Sequence, residues 1–442
     1  MTRWILVSLF LAGAGPGQER KPNVLFLFTD DQRADAIGAL GNPRVETPNL
    51  DRLVESGFAF RNAYCMGGDI SAVCTPSRYM LLSGLSLFHR KNASPDRPNF
   101  PRAMKEAGYY AYHHGKRGNT CLPIQKLFDV DRHLSNDTKE RQSGRPGKEI
   151  ADAAVEFLKG RPKDKPFFMY LAFGNPHDPR VASAETRTKV DDATLPLPSN
   201  FRPVHPFDNG DMTVRDEQLA PWPRTPEVVR KHLADYYAVI ADLDREIGRI
   251  LQALREGGEY DRTIVVFSSD HGLALGSHGL FGKQNVYEDG LKVPLFFSGP
   301  GIPKGRSDAF AYLYDVFPTV CELAGVPTPQ GIDGKSLAGV IRGRSESVRD
   351  AMMLAYRSCQ RAARKGPWKV IRYPQINRSQ LFNLKDDPHE TKDLSGDPAH
   401  AETMKEMTDL LGRLQKENDD DLPLTSADPK PAEWVPPKEK GK

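Results

Sequence analysis

The chain has 442 residues and a formal net charge of +3, with 39% hydrophobic and 27% charged residues. This composition supports a large folded core and excludes a disordered or fibrous protein. Because the charge is nearly balanced and no basic stripe is interleaved with aromatic residues, nucleic acid is not an expected partner. Five cysteines in a chain of this length exclude a disulfide scaffold, and the odd number leaves at least one thiol unpaired within the chain.

Residues 1–20 have the pattern of a secretory signal peptide. Arg3 precedes an apolar run from Trp4 to Leu11, and small residues follow at 12–14. The run is too short to span a bilayer, and no later segment reaches the roughly 20 apolar residues of a transmembrane helix. We therefore predict an exported protein, periplasmic or secreted, whose mature part has no integral membrane segment.

Four apolar runs of strand length are each followed at once by polar or ionisable residues. They are Val24–Phe28, Tyr109–Tyr112, Phe167–Phe173 and Thr263–Ser269. Continuous apolar runs that alternate with helical stretches are typical of strands buried on both faces of a parallel sheet, and such sheets bind ligands beyond the carboxyl ends of their strands. The pattern predicts an α/β fold with a large, mainly parallel mixed sheet flanked by helices. Four strand ends then point at one site.

Helix start and stop signals support this arrangement. Thr47-Pro48 opens and Gly57 closes one helix, and a second extends from Asp315 to Gly325. A long helix over about 226–256 carries an apolar stripe that predicts a core-facing position. Residues 179–226 are rich in Pro, Asp and Arg without periodicity, so we expect long loops near the entrance of the site.

The pattern changes after about residue 345. The short segments 368–373 and 379–384 predict strands of a small antiparallel sheet, and a helix is expected over about 399–417. These patterns divide the chain into the signal peptide, a catalytic domain over 21–345, a C-terminal subdomain of antiparallel sheet plus helix over 346–418, and a tail over 419–442. The tail has few apolar residues and is expected to be disordered.

The most informative stretch is Cys74-Thr75-Pro76-Ser77-Arg78. Its proline favours the first turn of a helix that would end near Ser83 and be closed by Gly84, which places Cys74 at the N-terminal end, where backbone N–H groups favour an anion. On chemistry alone, Cys74 is either a nucleophile with a lowered pKa or an inert buried thiol. Of the other cysteines, Cys65 and Cys121 either pair or stay buried, and Cys321 is expected in the core.

The stretch Cys-x-Pro-Ser-Arg, followed by a Leu-rich turn and Gly, resembles the signature of type I sulfatases, a family of the alkaline phosphatase superfamily in which this cysteine is oxidised to formylglycine. Further segments resemble the same family in the same order and cover nearly the whole mature chain. They are residues 23–32, 47–51, 268–272, 282–294 and 381–390.

The resemblance implies one divalent cation, usually calcium in this family. Its ligands would be Asp30, Asp31, Asp270 and His271 together with the side chain of residue 74. Carboxylate oxygens are the ligands that Ca²⁺ and Mg²⁺ prefer. A ring nitrogen at His271 is less typical for calcium, so magnesium or another metal stays open.

The resemblance also implies roles for four further residues. Arg78 would steady the formylglycine hydrate, Lys116 and Lys283 would hold sulfate oxygens, and His177 would act as general acid at the leaving oxygen.

One position departs from the family pattern. The family usually has a histidine two residues after the lysine matched to Lys116, and this chain has Gly118 there. That histidine helps to expel sulfate. Three alternatives remain: His113 or His114 supplies the base, another group does so, or turnover is slow.

The sequence therefore predicts an exported sulfatase that acts on a sulfated carbohydrate and depends on a formylglycine-generating or equivalent maturation enzyme. Loop residues suited to sugar hydroxyls and anionic groups support a carbohydrate substrate: Arg180, Arg202, His205, Asp208 and Asp211. One alternative is a phosphatase or phosphodiesterase of the same superfamily, whose two-zinc forms need additional ligands, with His278 as the only obvious spare. The other is a protein that binds sulfated glycans with little turnover.

Overall fold

A computed structural model describes residues 20–437 of the chain. The predicted signal peptide therefore lies, except for its last residue, outside the described residues. Over the described range, none of the helices is both long enough and apolar enough to cross a membrane.

The larger of two sheets has eight strands in the spatial order β5-β4-β6-β1-β7-β8-β2-β9. Their bounds are β1 Asn23–Asp30, β2 Phe58–Tyr64, β4 Tyr110–Gly115, β5 Val130–His133, β6 Phe167–Pro176, β7 Thr263–Ser269, β8 Leu295–Ser298 and β9 Gly305–Tyr312. Strand β8 is antiparallel to both of its neighbours, and the other pairs are parallel. The predicted mainly parallel mixed sheet is confirmed.

The four strands predicted from apolar runs are β4, β6, β1 and β7, and they are direct neighbours at the centre of this sheet. Within β1, Phe26 faces one apolar cluster and Leu27 faces a second on the other side of the sheet. Burial on both faces explains why these strands are continuously apolar. Strand β4 is longer than expected, because His113, His114 and Gly115 belong to the strand instead of following it.

Helices flank the large sheet on both sides. Their bounds are α1 Pro48–Ser56, α2 Cys74–Ser83, α3 Phe100–Glu106, α4 Leu122–Gln125, α5 Asp137–Arg141, α6 Lys148–Gly160, α7 Ala184–Arg187, α8 Pro226–Glu256, α9 Glu288–Leu291, α10 Val316–Leu323, α11 Ala338–Ile341 and α12 Ala401–Glu417. The long helix α8 has the expected bounds. Its Asp244 accepts hydrogen bonds from the backbone N–H groups of Asn49 (3.0 Å) and Leu50 (2.8 Å), so α8 caps the start of α1.

The smaller sheet has the order β13-β12-β11-β10-β3 and is packed by α12. Its strands are β10 Ala351–Tyr356, β11 Gln360–Lys365, β12 Trp368–Tyr373, β13 Arg378–Asn383 and β3 Gly67–Gly68. The strands β10 to β13 are antiparallel, as predicted, but β3 joins from the N-terminal part of the chain and runs parallel to β10. A Cβ at Gly67 would lie 1.8 Å from the Ala355 carbonyl oxygen, so the approach requires glycine there.

A group of buried charges joins the small sheet to the segment that precedes β8. We call Glu288, Arg364, Lys369 and Glu390 the Lys369 cluster. The Lys369 Nζ atom lies 3.0 Å from Glu288 Oε1 and 2.8 Å from Glu390 Oε1, and Arg364 Nη1 lies 3.3 Å from Glu288 Oε2. Carboxyl groups and cations face one another here, so the cluster is a structural connection between the small sheet and the segment that leads into β8.

The predicted disorder of the C-terminal tail does not hold for residues 419–437. Arg361 donates to both carboxylate oxygens of Asp420 at 2.6 and 2.9 Å, and the Ala432 carbonyl accepts from the Asp208 backbone N–H at 2.9 Å. Trp434 packs on the main apolar cluster. A few well-placed anchors bind the segment, although its average composition is polar. Residues 438–442 lie outside the described residues.

Candidate active site

The site forms where β1 and β7 end side by side. Thr29 pairs with Ser269, so Asp30 and Asp31 come to lie beside Asp270. Asp31 has φ of 69°, the left-handed region that is rare for a residue other than glycine, and its N–H donates to Asp270 Oδ1 at 3.1 Å. The parallel register therefore brings the adjacent carboxyl groups of Asp30 and Asp31 beside that of Asp270, which lies about half of the chain length further on.

Cys74 is the first residue of α2, and its side chain forms part of the site. This helix begins at Cys74 and is followed by Gly84 with φ of 71°, as predicted. Ser77 Oγ donates to the Asp270 carbonyl at 2.7 Å and ties the helix start to the end of β7. The thiol of Cys74 is 1% exposed. It therefore lies inside the site and not on the surface.

Five side chains converge on one point. The ligand atoms of Asp30, Asp31, Cys74, Asp270 and His271 all lie within 4.8 Å of one another, and all five residues are buried. The Cys74 Sγ atom is 3.3 Å from Asp30 Oδ1 and 3.2 Å from His271 Nε2. We call these five residues the acidic cluster.

The acidic cluster fits one divalent cation. Three carboxyl groups supply the hard oxygen donors that Ca²⁺ and Mg²⁺ prefer. The Nδ1 atom of His271 lies 3.0 Å from the Gly272 carbonyl, and this contact directs Nε2 into the cluster. The residues assigned to the metal by sequence are thus brought together, and the donor set is consistent with the implied group.

Three cations surround the acidic cluster, each supplied by a different element. Arg78 is 0% exposed and donates to Asp270 Oδ2 at 3.0 Å, while its Nη1 atom is buried without a partner among the described residues. Lys283 Nζ lies 2.7 Å from Asp31 Oδ1 and 3.4 Å from Cys74 Sγ, and Lys116 pairs with Asp30. Together they place three cationic donors around residue 74 that could receive an anion.

These charges change the protonation of their neighbours. Burial alone would raise the pKa of Asp30, but the adjacent Lys116 and Arg78 hold it well below its usual range. Burial, followed by the charge of Asp30, raises the pKa of the Cys74 thiol well above its ordinary value. Such surroundings differ from those of a reactive thiolate, which needs a net positive environment.

His177 follows β6 at the rim of the site. Its side chain is 14% exposed, and its Nδ1 atom lies 2.7 Å from the Asp178 carbonyl oxygen. One ligand atom each from Asp31, His177 and Asp178 lie within 4.8 Å of one another. Burial and the charge of Lys283 lower the pKa of His177. Its position beside the cluster agrees with the role implied by the resemblance.

The two histidines considered as replacements at Gly118 do not contact the acidic cluster. His113 is held by Asp131 at 2.7 Å, with Gln125 at 3.3 Å on its other ring nitrogen. Both ring nitrogens of His114 are buried without a hydrogen-bond partner in the described part of the chain. Gly118 itself donates its N–H to Asp137. Neither histidine is placed to serve as the base.

Sequence reasoning missed Asp216. Its carboxylate lies 3.9 Å from Lys283 Nζ and accepts a hydrogen bond from Gln284 Nε2 at 2.8 Å, so it helps to hold Lys283 in place. Burial raises its pKa, but Lys283 and the Gln284 hydrogen bond lower it more. Asp216 lies in the aperiodic loop segment, where no pattern distinguishes one aspartate from another.

The structure places the loop residues expected to contact sugar in different environments. His205 is buried and lies 2.7 Å from the Phe207 carbonyl, and Asp211 accepts from Tyr356 OH, so both are structural. Asp208 accepts from the Gly210 N–H, and Arg202 is exposed. Arg180 alone bonds to the strand beside His177, where it donates to the Pro176 carbonyl at 3.0 Å.

Two further expectations are decided by the structure. His278 stacks on Tyr287 with ring centroids 3.8 Å apart and is not in the acidic cluster, so the spare ligand of a two-zinc site is not brought to it. All five cysteines lie within the described residues and are buried free thiols, so Cys65 and Cys121 do not pair.

Comparison with known proteins agrees with this geometry. A family model described as Sulfatase matches residues 22–326, and one described as N-sulphoglucosamine sulphohydrolase, C-terminal, matches residues 276–417. N-acetylglucosamine-6-O-sulfatase of Bacteroides thetaiotaomicron is 28% identical over 95% of this chain and 91% of its own length. Delta 4,5-hexuronate-2-O-sulfatase of the same organism is 27% identical over 96% and 95%.

Solved structures share the fold. A protein in complex with its substrate D-glucosamine-2-N,6-O-disulfate matches with a TM-score of 0.76 at 24% identity, over 92% of this chain and 99% of that one. Phosphonate monoester hydrolase of Agrobacterium radiobacter matches with a TM-score of 0.75 at 21% identity, over 90% and 96%. Because the Sulfatase model spans more than half of the chain, the protein belongs to the sulfatase family of the alkaline phosphatase superfamily and is a sulfuric ester hydrolase.

Proposed function

We propose that this protein is an exported carbohydrate sulfatase that uses a formylglycine made from Cys74 and one divalent cation, calcium. The observation that carries the proposal is the placement of residue 74. Its side chain lies at a helix start, within 3.4 Å of an acidic-cluster carboxylate, the His271 ring and the Lys283 ammonium group. These partners suit a hydroxyl-bearing group beside a metal, because they offer oxygen ligands for the ion and donors for an anion.

In this proposal the Cys74 thiol is the precursor of the reactive group. A separate maturation enzyme and an external two-electron oxidant would convert the Cβ atom to an aldehyde carbon, with an oxygen atom entering from the level of water and the sulfur leaving as hydrogen sulfide. The hydrate of that aldehyde would supply one hydroxyl to attack sulfur and a second whose deprotonation expels sulfate. Arg78, which lies one helical turn after residue 74, would hold the hydrate through its unpartnered Nη1 atom.

The other residues would bind and orient. Asp30, Asp31, Asp270 and His271 would hold the cation, which supplies positive charge where the nucleophile loses its proton. Lys116 and Lys283 would bind sulfate oxygens, because each is buried and each borders the acidic cluster. Asp216 would keep Lys283 in position.

His177 would give a proton to the leaving oxygen. Its Nδ1 atom faces the Asp178 carbonyl, so Nε2 is the nitrogen available to the substrate. A sugar alcohol is a poor leaving group and needs this proton. Arg215 pairs with Asp178 at 2.8 Å and so steadies the segment that carries His177.

A sulfated sugar is the substrate class that the relatives favour. Relatives that match over nearly the full chain are named for the 6-O-sulfate of N-acetylglucosamine and the 2-O-sulfate of a hexuronate. Arg180 is a cation next to His177 that would face a second anionic group on such a sugar. Export is supported by the signal-peptide pattern of residues 1–20.

Mass spectrometry of the peptide that contains residue 74 tests the reactive group, and active protein should carry an aldehyde there. A fully active sample with only thiol would contradict the proposal. Metal analysis of the same sample should find one calcium ion per chain. Two tightly bound zinc ions would favour a phosphatase.

A substrate screen tests the chemical class. Formylglycine-containing protein is assayed for sulfate release from sulfated mono-, oligo- and polysaccharides, an aryl sulfate and a phosphate ester, with Asp270→Asn as the inactive control. Release from a sugar is expected to exceed release from the aryl sulfate. Turnover of the phosphate ester alone refutes the sulfatase assignment, and turnover of the aryl sulfate alone refutes the carbohydrate assignment.

A further inference from the structure

A second group of metal-ligating side chains lies at the edge of the large sheet. His113 on β4 and Asp131 on β5 are direct partners in the parallel register, and His133 follows two residues after Asp131. Because side chains alternate between the faces of a strand, all three lie on one face. We call them the edge cluster.

The three side chains converge within the reach of one small ion. One ligand atom from each lies within 4.8 Å of the other two. The Asp131 Oδ2 atom is 3.4 Å from His133 Nε2, and Asp131 Oδ1 is 2.7 Å from His113 Nδ1. Two bonds of about 2.0 to 2.1 Å in a tetrahedral zinc site separate their ligand atoms by roughly 3.3 Å. The first distance fits, and the second would have to lengthen by about 0.6 Å.

The edge cluster also contains a buried ring nitrogen without a hydrogen-bond partner. The Nδ1 atom of His133 is buried and has no hydrogen-bond partner among residues 20–437. Gln125 reaches the Nε2 side of His113 at 3.3 Å, so the Nδ1 atom is the one directed towards Asp131. Because Gln125 Nε2 donates to His113 Nε2, the Nδ1 atom carries the proton that faces Asp131, and binding of an ion at Nδ1 would release that proton.

The charges suit a cation as well. Asp131 supplies a carboxyl group between the two imidazole rings of His113 and His133. Arg132, the only cationic residue between the two β5 ligands, belongs to the opposite face and is about half exposed. It does not compete for Asp131.

We propose that the edge cluster binds one Zn²⁺ ion through His113, Asp131 and His133. Two imidazoles and one carboxylate are donors for a transition metal, whereas calcium prefers a shell of oxygens. The ion is therefore distinct in kind from the one held by the acidic cluster. Strand β5 pairs with β4 alone in the sheet order, so the ion fastens an edge strand to the strand that leads into Lys116.

The test uses the full-length protein with excess Ca²⁺ to occupy the acidic cluster. Zn²⁺ is titrated by calorimetry, and Co²⁺ is followed by its visible absorption. The variants are His133→Ala and, as the matched control on the same strand, Arg132→Ala. Wild type and Arg132→Ala should bind one transition-metal ion that His133→Ala binds at least about ten-fold more weakly. Zn²⁺ should also raise the Tm of wild type and Arg132→Ala but not that of His133→Ala.

Asp131→Asn provides a second variant if His133→Ala does not fold, and it too should lose the ion. The proposal is overturned if wild type binds no Zn²⁺ in excess Ca²⁺. It is equally overturned if the folded edge-cluster variants match Arg132→Ala in stoichiometry and affinity. Sulfate release from the substrates above is a separate readout, so failure here leaves the sulfatase assignment intact.

Discussion

The acidic cluster and the Lys369 cluster both bury carboxylates beside cations, but they differ in what each group faces. In the Lys369 cluster, one ammonium group lies between two carboxylates at 2.8 and 3.0 Å, and the charges match one another. In the acidic cluster, the charges surround a side chain, Cys74, that carries no charge of its own.

The difference lies in where the groups are anchored. The acidic cluster is assembled from the ends of β1 and β7 and the start of α2, and a lysine from each of two loops borders it. The Lys369 cluster lies at the contact between two sheets. Buried charge alone therefore does not identify a reactive centre, whereas convergence of strand ends on one uncharged group does.

Replacing the central group should have the largest effect. Cys74→Ala should lower kcat for sulfate release by at least about 10⁴-fold, because the nucleophile is gone. Cys74→Ser should accept sulfate once and then stop, since a serine ester has no second hydroxyl to expel it. Steady-state assays and intact mass measure these outcomes. Cys359→Ala, a buried cysteine outside the site, should keep full activity; a similar loss there would show that both effects arise from misfolding.

Breaking the Lys369 cluster should reduce stability and leave catalysis alone. Lys369→Met leaves two buried carboxylates without their shared cation, which should lower the free energy of unfolding by about 3–5 kcal/mol. Denaturant unfolding measures this change. Lys405→Met removes an exposed pair with Asp409 on α12 and should leave the free energy of unfolding nearly unchanged. If kcat of folded Lys369→Met drops strongly, the contrast between the clusters fails.

The role of His177 is tested by the leaving group. His177→Ala should lower kcat for a sugar sulfate by about 10²-fold or more, and much less for an aryl sulfate whose phenolate leaves without a proton. Rates on both substrates with one protein preparation give the comparison. Equal losses on the two substrates would mean that His177 positions the substrate and does not donate a proton.

A smaller effect concerns Asp244 in α8, which belongs to neither cluster. Burial raises its pKa to about 6. The unfolded value is about 3.9, so its contribution to stability is fully present below pH 3.9 and is lost as the pH rises through about 6, by at most about 3 kcal/mol. Denaturant midpoints from pH 4 to 7 should show this slope in wild type and in exposed Asp261→Asn. The slope should be shallower in Asp244→Asn, where Glu140, whose pKa burial raises to about 7, still contributes. An unchanged slope in that variant would assign it to other groups.

Much of the site could be predicted because its residues directly follow recognisable elements. Asp30, Asp270 and Cys74 stand at the ends of apolar runs or at a helix start, where pattern and position agree. The helix bounds of α2 and α8 followed from proline and glycine signals for the same reason.

The failures share a cause, because they depend on contacts distant in sequence. The anchoring of the tail by Arg361, the addition of β3 to the small sheet and the support of Lys283 by Asp216 leave no periodic trace. Polar residues usually end a strand, so the sequence predicts His113 and His114 beyond the end of β4. In the structure both residues belong to β4, where they are buried and His113 is bound by Asp131.

The burial of Cys74 constrains the order of events during biosynthesis. With 1% of the residue exposed in the folded chain, its thiol is inaccessible to a modifying enzyme there. Its neighbour Asp270 is supplied about 200 residues later in translation. Any covalent change at residue 74 thus has its opportunity while the chain is emerging, before β7 joins β1. A copy that folds unmodified is expected to stay inactive for its lifetime.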